Sequence, residues 1–165
     1  MVQTELWNRI KDFDLDVVGS QFTFTDRLSR ENGWTLDYSV RVIDEYKRFM
    51  FLLCCTNGPL TPSDQVDQAW HLHLIYTQSY WRDFCDGVLK REIHHGPTKG
   101  GSDEKDKYSD LYQRSKDRYL EEFETDPPED IWPPHAIRFG QLQFTRVNRH
   151  KYWVFPKLKL KLWRN

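Results

Sequence analysis

One stretch of the chain, residues 61–74, predicts the central element of the fold and reads Thr61-Pro62-Ser63-Asp64-Gln65-Val66-Asp67-Gln68-Ala69-Trp70-His71-Leu72-His73-Leu74. Thr61 is suited to cap a helix, Pro62 fits the first helical position, and Asp64 can bond back to the cap. Apolar residues then recur at helical spacing. The stretch predicts a long helix over residues 62–89, either unbroken or bent near residues 77–79.

The same stretch carries acidic and histidine side chains in a pattern that separates two faces of the helix. Asp64, Asp67 and His71 are three and four residues apart, so their side chains lean toward one face. His71 and His73 differ by about 200° around the axis, so they cannot share a ligand. We therefore expect His71 to be a site residue and His73 to pack inside.

A second pair of histidines, His94 and His95, lies in the loop over residues 91–102. This spacing suggests a metal centre in which Asp67 and His71 on the helix meet His94 or His95 on the loop, with Asp64 as an extra ligand. Zinc accepts two or three imidazole nitrogens with a carboxylate, and iron(II) uses two histidines with one carboxylate. Zinc and iron are the expected cofactors.

Two other interpretations of these residues stay open. Asp67 can fix the tautomer of a histidine within a buried hydrogen-bond network that only stabilises the fold. A carboxylate that orients a histidine can also act in general-base catalysis without a metal. The chain has no HExxH motif and no G-x-S-x-G nucleophile elbow, so the sequence predicts neither a zinc protease nor a serine hydrolase of those types.

Composition narrows the classes of protein that the chain can represent. Its 165 residues fit one domain, and a net charge of −1 gives no field that attracts nucleic acid. Cys54, Cys55 and Cys85 form neither a CxxC motif nor a disulfide framework, which favours a reducing compartment. The amino terminus lacks an apolar leader, and the longest apolar run is too short to span a membrane. We expect a cytoplasmic protein without a membrane partner.

The fold is expected to be mainly α, a bundle of four to five helices packed about the pair over residues 36–55 and 62–89. A small C-terminal β element is expected as well. Residues 142–147 and 152–155 are predicted to form a hairpin. Residues 157–162 alternate Lys and Leu, which is typical of a strand with one solvent-exposed face.

The chain is expected to divide into a helical His/Asp-motif domain over residues 1–137 and a basic β segment over residues 138–165 packed on the same domain. This segment holds eight Lys or Arg residues and no acidic residue. Its lysines protect a strand edge, while its leucines cover apolar surface of this domain or of a second copy. A homo-oligomer formed through this segment is therefore a candidate assembly.

Several short motifs resemble the glycine-rich domain-containing protein (GRDP-like) family, in particular a bacterial-type, single-domain member. The resemblance covers about residues 30–100, with a continuation through residues 131–133. It rests on Glu31-Asn32-Gly33-Trp34, Tyr46-Lys47-Arg48-Phe49, Pro62-Ser63-Asp64, Val66-Asp67, Ala69-Trp70-His71-Leu72-His73-Leu74, Tyr80 and the His94-His95 loop.

The family's D-x-x-W-H-x-H motif matches Asp67, Trp70, His71 and His73, and the double histidine matches more loosely. The resemblance implies no settled chemistry. The RNA role attached to additional segments of plant members does not carry over, because this chain lacks those segments. Two functions therefore remain open: a metal-dependent or acid–base site acting on a small molecule, and a non-catalytic module that binds a protein partner.

Overall fold

A computed structural model describes residues 2–96, 102–140, 147 and 150–155 of the chain. Seven helices lie in this described part, and we number them α1 (Val2–Asp12), α2 (Phe24–Asn32), α3 (Leu36–Cys55), α4 (Asp64–Ile75), α5 (Gln78–Leu89), α6 (Ser102–Phe123) and α7 (His135–Arg138). Six are α-helices and α5 is a π-helix.

The helix at the centre of the fold is α3, against which α1, α2, α4 and α6 all pack. Thr35 caps its amino terminus by accepting a hydrogen bond from the Tyr38 backbone. Tyr46, Phe49 and Met50 are fully buried and lie on its inward stripe at helical spacing. The predicted pairing of this helix with the one that carries the histidines is confirmed, because α3 and α4 pack directly.

The start of α4 differs from the prediction by two residues. Ser63 is the cap, and its hydroxyl accepts a hydrogen bond from the Val66 backbone. Thr61 does not cap the helix, because its backbone is used elsewhere. Its N–H donates to the Ser115 hydroxyl at 3.0 Å, and its carbonyl accepts from the same hydroxyl at 2.8 Å. Ser115 thereby links the residues that precede α4 to α6 by two hydrogen bonds.

The predicted helix over residues 62–89 is two helices, and the bend near residues 77–79 is the alternative that the structure supports. The Tyr76 N–H donates a hydrogen bond to the His73 carbonyl at 2.9 Å, and α4 ends at this turn. The buried residues of α5 then recur every four or five positions, at Tyr80, Phe84, Cys85 and Leu89. This spacing is wider than an α-helix provides and suits the i→i+5 hydrogen bonds of a π-helix.

The segment after α6 returns to the core. Ile131 and Trp132 are fully buried, and the Trp132 indole donates to Glu45 Oε2 at 2.9 Å. Tyr119 donates to the other oxygen of the same carboxylate at 3.1 Å. The short helix α7 follows and packs against α6. This segment adds a buried polar network to the packing of α3 against α6.

The predicted β element is wrong for the part of it that the structure describes. No strand forms among residues 2–96, 102–140, 147 and 150–155. Tyr152, Trp153, Val154 and Phe155 are exposed, with Trp153 at 89%. An isolated hairpin is marginal in water unless its apolar face packs against other elements, and these side chains have no such cover. The rest of the predicted hairpin and the Lys/Leu strand at residues 157–162 lie outside the described residues.

The described helices also bear on a membrane role. None of them combines the length and apolarity that a membrane crossing requires. The division of the chain at residue 137 and the proposed oligomer stay predictions.

Candidate functional site

Two members of the candidate site come from one face of α4. Asp67 and His71 are four residues apart, and His71 Nε2 lies 3.9 Å from Asp67 Oδ1. The Asp67 side chain is 19% exposed and that of His71 is 49% exposed. The helix alone sets this pair, since residues four apart lie next to each other on the surface of a helix.

The third member arrives from the loop after α5. His95 Nε2 donates a hydrogen bond to Asp67 Oδ1 at 2.7 Å. The His95 and His71 rings face each other with centroids 4.5 Å apart. One ligand atom from each of Asp67, His71 and His95 lies within 4.8 Å of the others. Two imidazoles and one carboxylate therefore converge at the surface of α4.

A chain of buried hydrogen bonds holds the loop in place. The Trp70 indole donates to the Tyr80 hydroxyl at 2.9 Å, and that hydroxyl donates to the Ile93 carbonyl at 2.5 Å. The Trp70 ring also meets the His95 ring edge-on, with centroids 4.4 Å apart. Trp70 thus contacts the loop directly and, through Tyr80, at Ile93.

His73 lies on the other side of α4 and is fully buried. Its Nδ1 is 2.8 Å from the Tyr46 hydroxyl and its Nε2 is 3.1 Å from the Ser79 hydroxyl. Burial lowers the pKa of His73 to about 3, so the ring stays neutral. The expectation that His73 packs while His71 shares a face with Asp67 agrees with this placement.

His94, the other loop histidine predicted as a ligand, is not brought to the group. Its side chain is 73% exposed and its Nε2 lies 3.2 Å from Glu92 Oε2. Its ring packs near Trp81. Between the two loop histidines that the sequence left as alternatives, the structure brings His95 to Asp67.

Asp64 borders the group without joining its three converging ligand atoms. Burial raises the pKa of Asp64, and the negative charge of Asp67 raises it further, whereas the positive charge of Arg138 lowers it. Arg138 also donates through Nε to the Pro62 carbonyl at 3.3 Å. Asp64 is thus a second carboxylate at the same end of α4, with Arg138 as its neighbouring cation.

The donor atoms suit a small divalent ion. In a tetrahedral zinc site with bonds of about 2.0–2.1 Å, neighbouring ligand atoms are separated by about 3.3 Å. The Asp67–His95 separation is 2.7 Å and the Asp67–His71 separation is 3.9 Å, so shifts below 1 Å bring both to that value. Nε2 of His95 binds a metal only in the tautomer that carries its hydrogen on Nδ1.

Sequence reasoning missed the Trp70–Tyr80–Ile93 chain. The sequence places Trp70 in the D-x-x-W-H-x-H motif and Tyr80 only among the residues of the family resemblance. The available signal was that Tyr and Trp need a polar partner when buried. The identity of that partner depends on how α5 and the loop fold onto α4.

Comparison with known proteins gives no relative for this chain: no family model matches it, and neither a curated protein nor a solved structure does. The family resemblance therefore stays a prediction.

Proposed function

We propose that Asp67, His71 and His95 bind one divalent metal ion, zinc or iron(II), and that the protein uses this ion to act on a small molecule. The observation that carries the proposal is the convergence of one carboxylate and two imidazoles within 4.8 Å. These are the donor types of catalytic zinc sites and of non-haem iron(II) sites.

The incomplete ligand set favours chemistry over a purely structural ion. Structural zinc sites are closed by four protein ligands, whereas catalytic sites keep a position for water or substrate. Only three donors converge among the described residues. His71 is half exposed, which gives a small molecule a route to the ion.

A second candidate function is a non-catalytic module in which the same residues stabilise the fold. The observation that favours it is the 2.7 Å hydrogen bond between His95 and Asp67, which satisfies both groups without a metal. The two candidates differ in their response to chelation. A ligand that binds only the folded state stabilises it, by about 2.7 kcal/mol at a concentration of 100 times the dissociation constant.

The test is calorimetric titration of chelator-treated protein with Zn²⁺ and, without oxygen, with Fe²⁺. We expect one ion per chain and a higher melting temperature after loading. Asp67→Asn, His71→Ala and His95→Ala each weaken binding, because each removes one of three ligands. His94→Ala is the matched control and binds as the wild type does.

A wild-type protein that binds neither ion, with a melting temperature that is the same before and after chelation, would support the structural module instead. Equal loss of binding in His94→Ala and His95→Ala would contradict the assignment of the loop ligand.

A further inference from the structure

The hydroxyl of Tyr80 lies between α4 and the loop after α5, which are the two elements that supply the candidate ligands. Its ring is fully buried. The hydroxyl accepts from the Trp70 indole at 2.9 Å and donates to the Ile93 carbonyl at 2.5 Å. An indole N–H can only donate and a carbonyl can only accept, so the direction of both hydrogen bonds is fixed.

Both partners of this hydroxyl are next to ligands in the chain. Trp70 precedes His71 directly and lies one turn after Asp67 on α4. The Ile93 carbonyl is two residues before His95. One buried hydroxyl therefore connects the helix that carries two candidate ligands with the loop that carries the third.

Among the described loop residues, further hydrogen bonds hold the start of the loop. At the start of the loop, the Arg91 backbone donates to the Cys85 carbonyl at 3.2 Å, and its guanidinium donates to the Cys54 carbonyl at 3.3 Å. The Ile93 backbone also hydrogen-bonds the Cys85 thiol, which is a weak partner. Tyr80 is the strong donor nearest to His95 among these contacts.

We propose that Tyr80 is a positioning residue of the metal site, acting through the Ile93 carbonyl to present His95 to Asp67 and His71. This inference rests on the metal site proposed above. The π-helical geometry of α5 contributes, because it turns Tyr80 inward together with Phe84, Cys85 and Leu89. Partners that orient metal ligands typically change metal affinity by 10–100-fold when they are removed.

The variant that tests this role is Tyr80→Phe, which keeps the ring and removes the hydroxyl. Tyr112→Phe is a matched control, because Tyr112 is also buried and its hydroxyl donates to a backbone carbonyl, that of Pro133, at 2.8 Å. Both variants remove a hydroxyl that donates to a backbone carbonyl, and Tyr80→Phe also removes the acceptor of the Trp70 indole. Of the two carbonyls, only that of Ile93 lies in the loop. A metal affinity that falls through a general loss of stability should therefore fall in both variants. A metal affinity that falls because His95 is displaced should fall in Tyr80→Phe alone.

The experiment is a titration of chelator-treated wild-type, Tyr80→Phe and Tyr112→Phe proteins with Co²⁺, followed by its visible absorption. We expect affinity to fall 10–100-fold in Tyr80→Phe, with a changed spectrum that reports an altered ligand set, and to stay at the wild-type value in Tyr112→Phe. Melting temperatures are measured on the same samples. If Tyr80→Phe does not fold, Trp70→Phe replaces it, and weaker Co²⁺ binding is again the expected result.

Equal affinity and an unchanged spectrum in Tyr80→Phe, or an equal loss in both tyrosine variants, would overturn the positioning role while leaving the metal site intact. Absence of Co²⁺ binding in the wild type would instead contradict the metal site itself, so the two failures are distinguishable.

Discussion

Nε2 of His95 lies 2.7 Å from Oδ1 of Asp67, although 28 positions separate the two residues in the chain. The contact joins a loop to the first turns of α4, whereas the neighbouring Asp67–His71 pair is set within the helix. Two of the three candidate ligands are therefore placed by the helix itself, and the third depends on how the loop packs against it. Changes that loosen the loop should weaken the site without unfolding α4.

The two histidines of α4 should respond differently to alanine. His71→Ala should weaken metal binding and change the free energy of unfolding by no more than about 0.5 kcal/mol, because the side chain is half exposed. His73→Ala should retain metal and lose about 1–3 kcal/mol of stability, since it removes the buried partner of two hydroxyls. Metal content and urea unfolding of both variants test this. The reverse pattern would mean that the faces are assigned wrongly.

Ser115 should matter for stability and not for the site. Its hydroxyl satisfies both backbone groups of Thr61 at the entry of α4, and it is fully buried. Ser115→Ala should lower the free energy of unfolding by about 1–3 kcal/mol, because the Thr61 N–H is left without a partner. Ser20→Ala at an exposed position is the control. Equal unfolding midpoints for the two variants would show that the contact contributes little.

Glu45 should give the folded state a specific dependence on pH. Burial raises the pKa of its carboxyl above the ordinary value of 4.5, although the charge of Arg48 and the hydrogen bonds from Trp132 and Tyr119 oppose this. Between 4.5 and the raised pKa, the folded state therefore holds more protons than the unfolded state. The contribution of Glu45 to stability should increase as the pH falls through this window.

The measurement is urea unfolding of wild type and Glu45→Gln at a series of pH values from 7 down to about 4.5. The stability of the wild type relative to the variant should rise as the pH falls, because glutamine cannot take up the proton. Glu129→Gln, at an exposed position, is measured alongside as the control for a glutamate-to-glutamine change at the surface. A pH-independent difference for Glu45→Gln would contradict the raised pKa.

Sequence patterns predicted the local features of this fold better than the tertiary ones. The helix over residues 36–55 and the separation of His71 from His73 follow from the period of a helix. The cap of α4 was misplaced because Ser63 and Thr61 have similar capping chemistry. Only the contact of Thr61 with Ser115, 54 residues away, decides between them.

Those patterns predicted neither the π-helix nor the choice between the two loop histidines. The buried residues of α5 recur at a spacing that a 3.6-residue period does not describe, so the sequence supported only a bend. His94 and His95 are adjacent and chemically identical. Only the folded structure separates them, since His95 contacts Asp67 whereas His94 contacts Glu92.

The predicted hairpin failed for a related reason. Residues 152–155 have the aromatic and β-branched composition of a strand, but strands also require a partner and a covered face. Composition does not show whether another strand pairs with these residues or whether another element packs against their side chains.

Zinc binding by Asp67, His71 and His95 can be measured by X-ray absorption at the zinc edge of chelator-treated protein reconstituted with one equivalent of Zn²⁺. We expect a first shell of nitrogen and oxygen at about 2.0–2.1 Å, with outer-shell scattering from two imidazoles in the wild type and from one in His95→Ala. A shell that contains sulfur, a histidine count that is the same in both proteins, or failure of the wild type to retain zinc would contradict it.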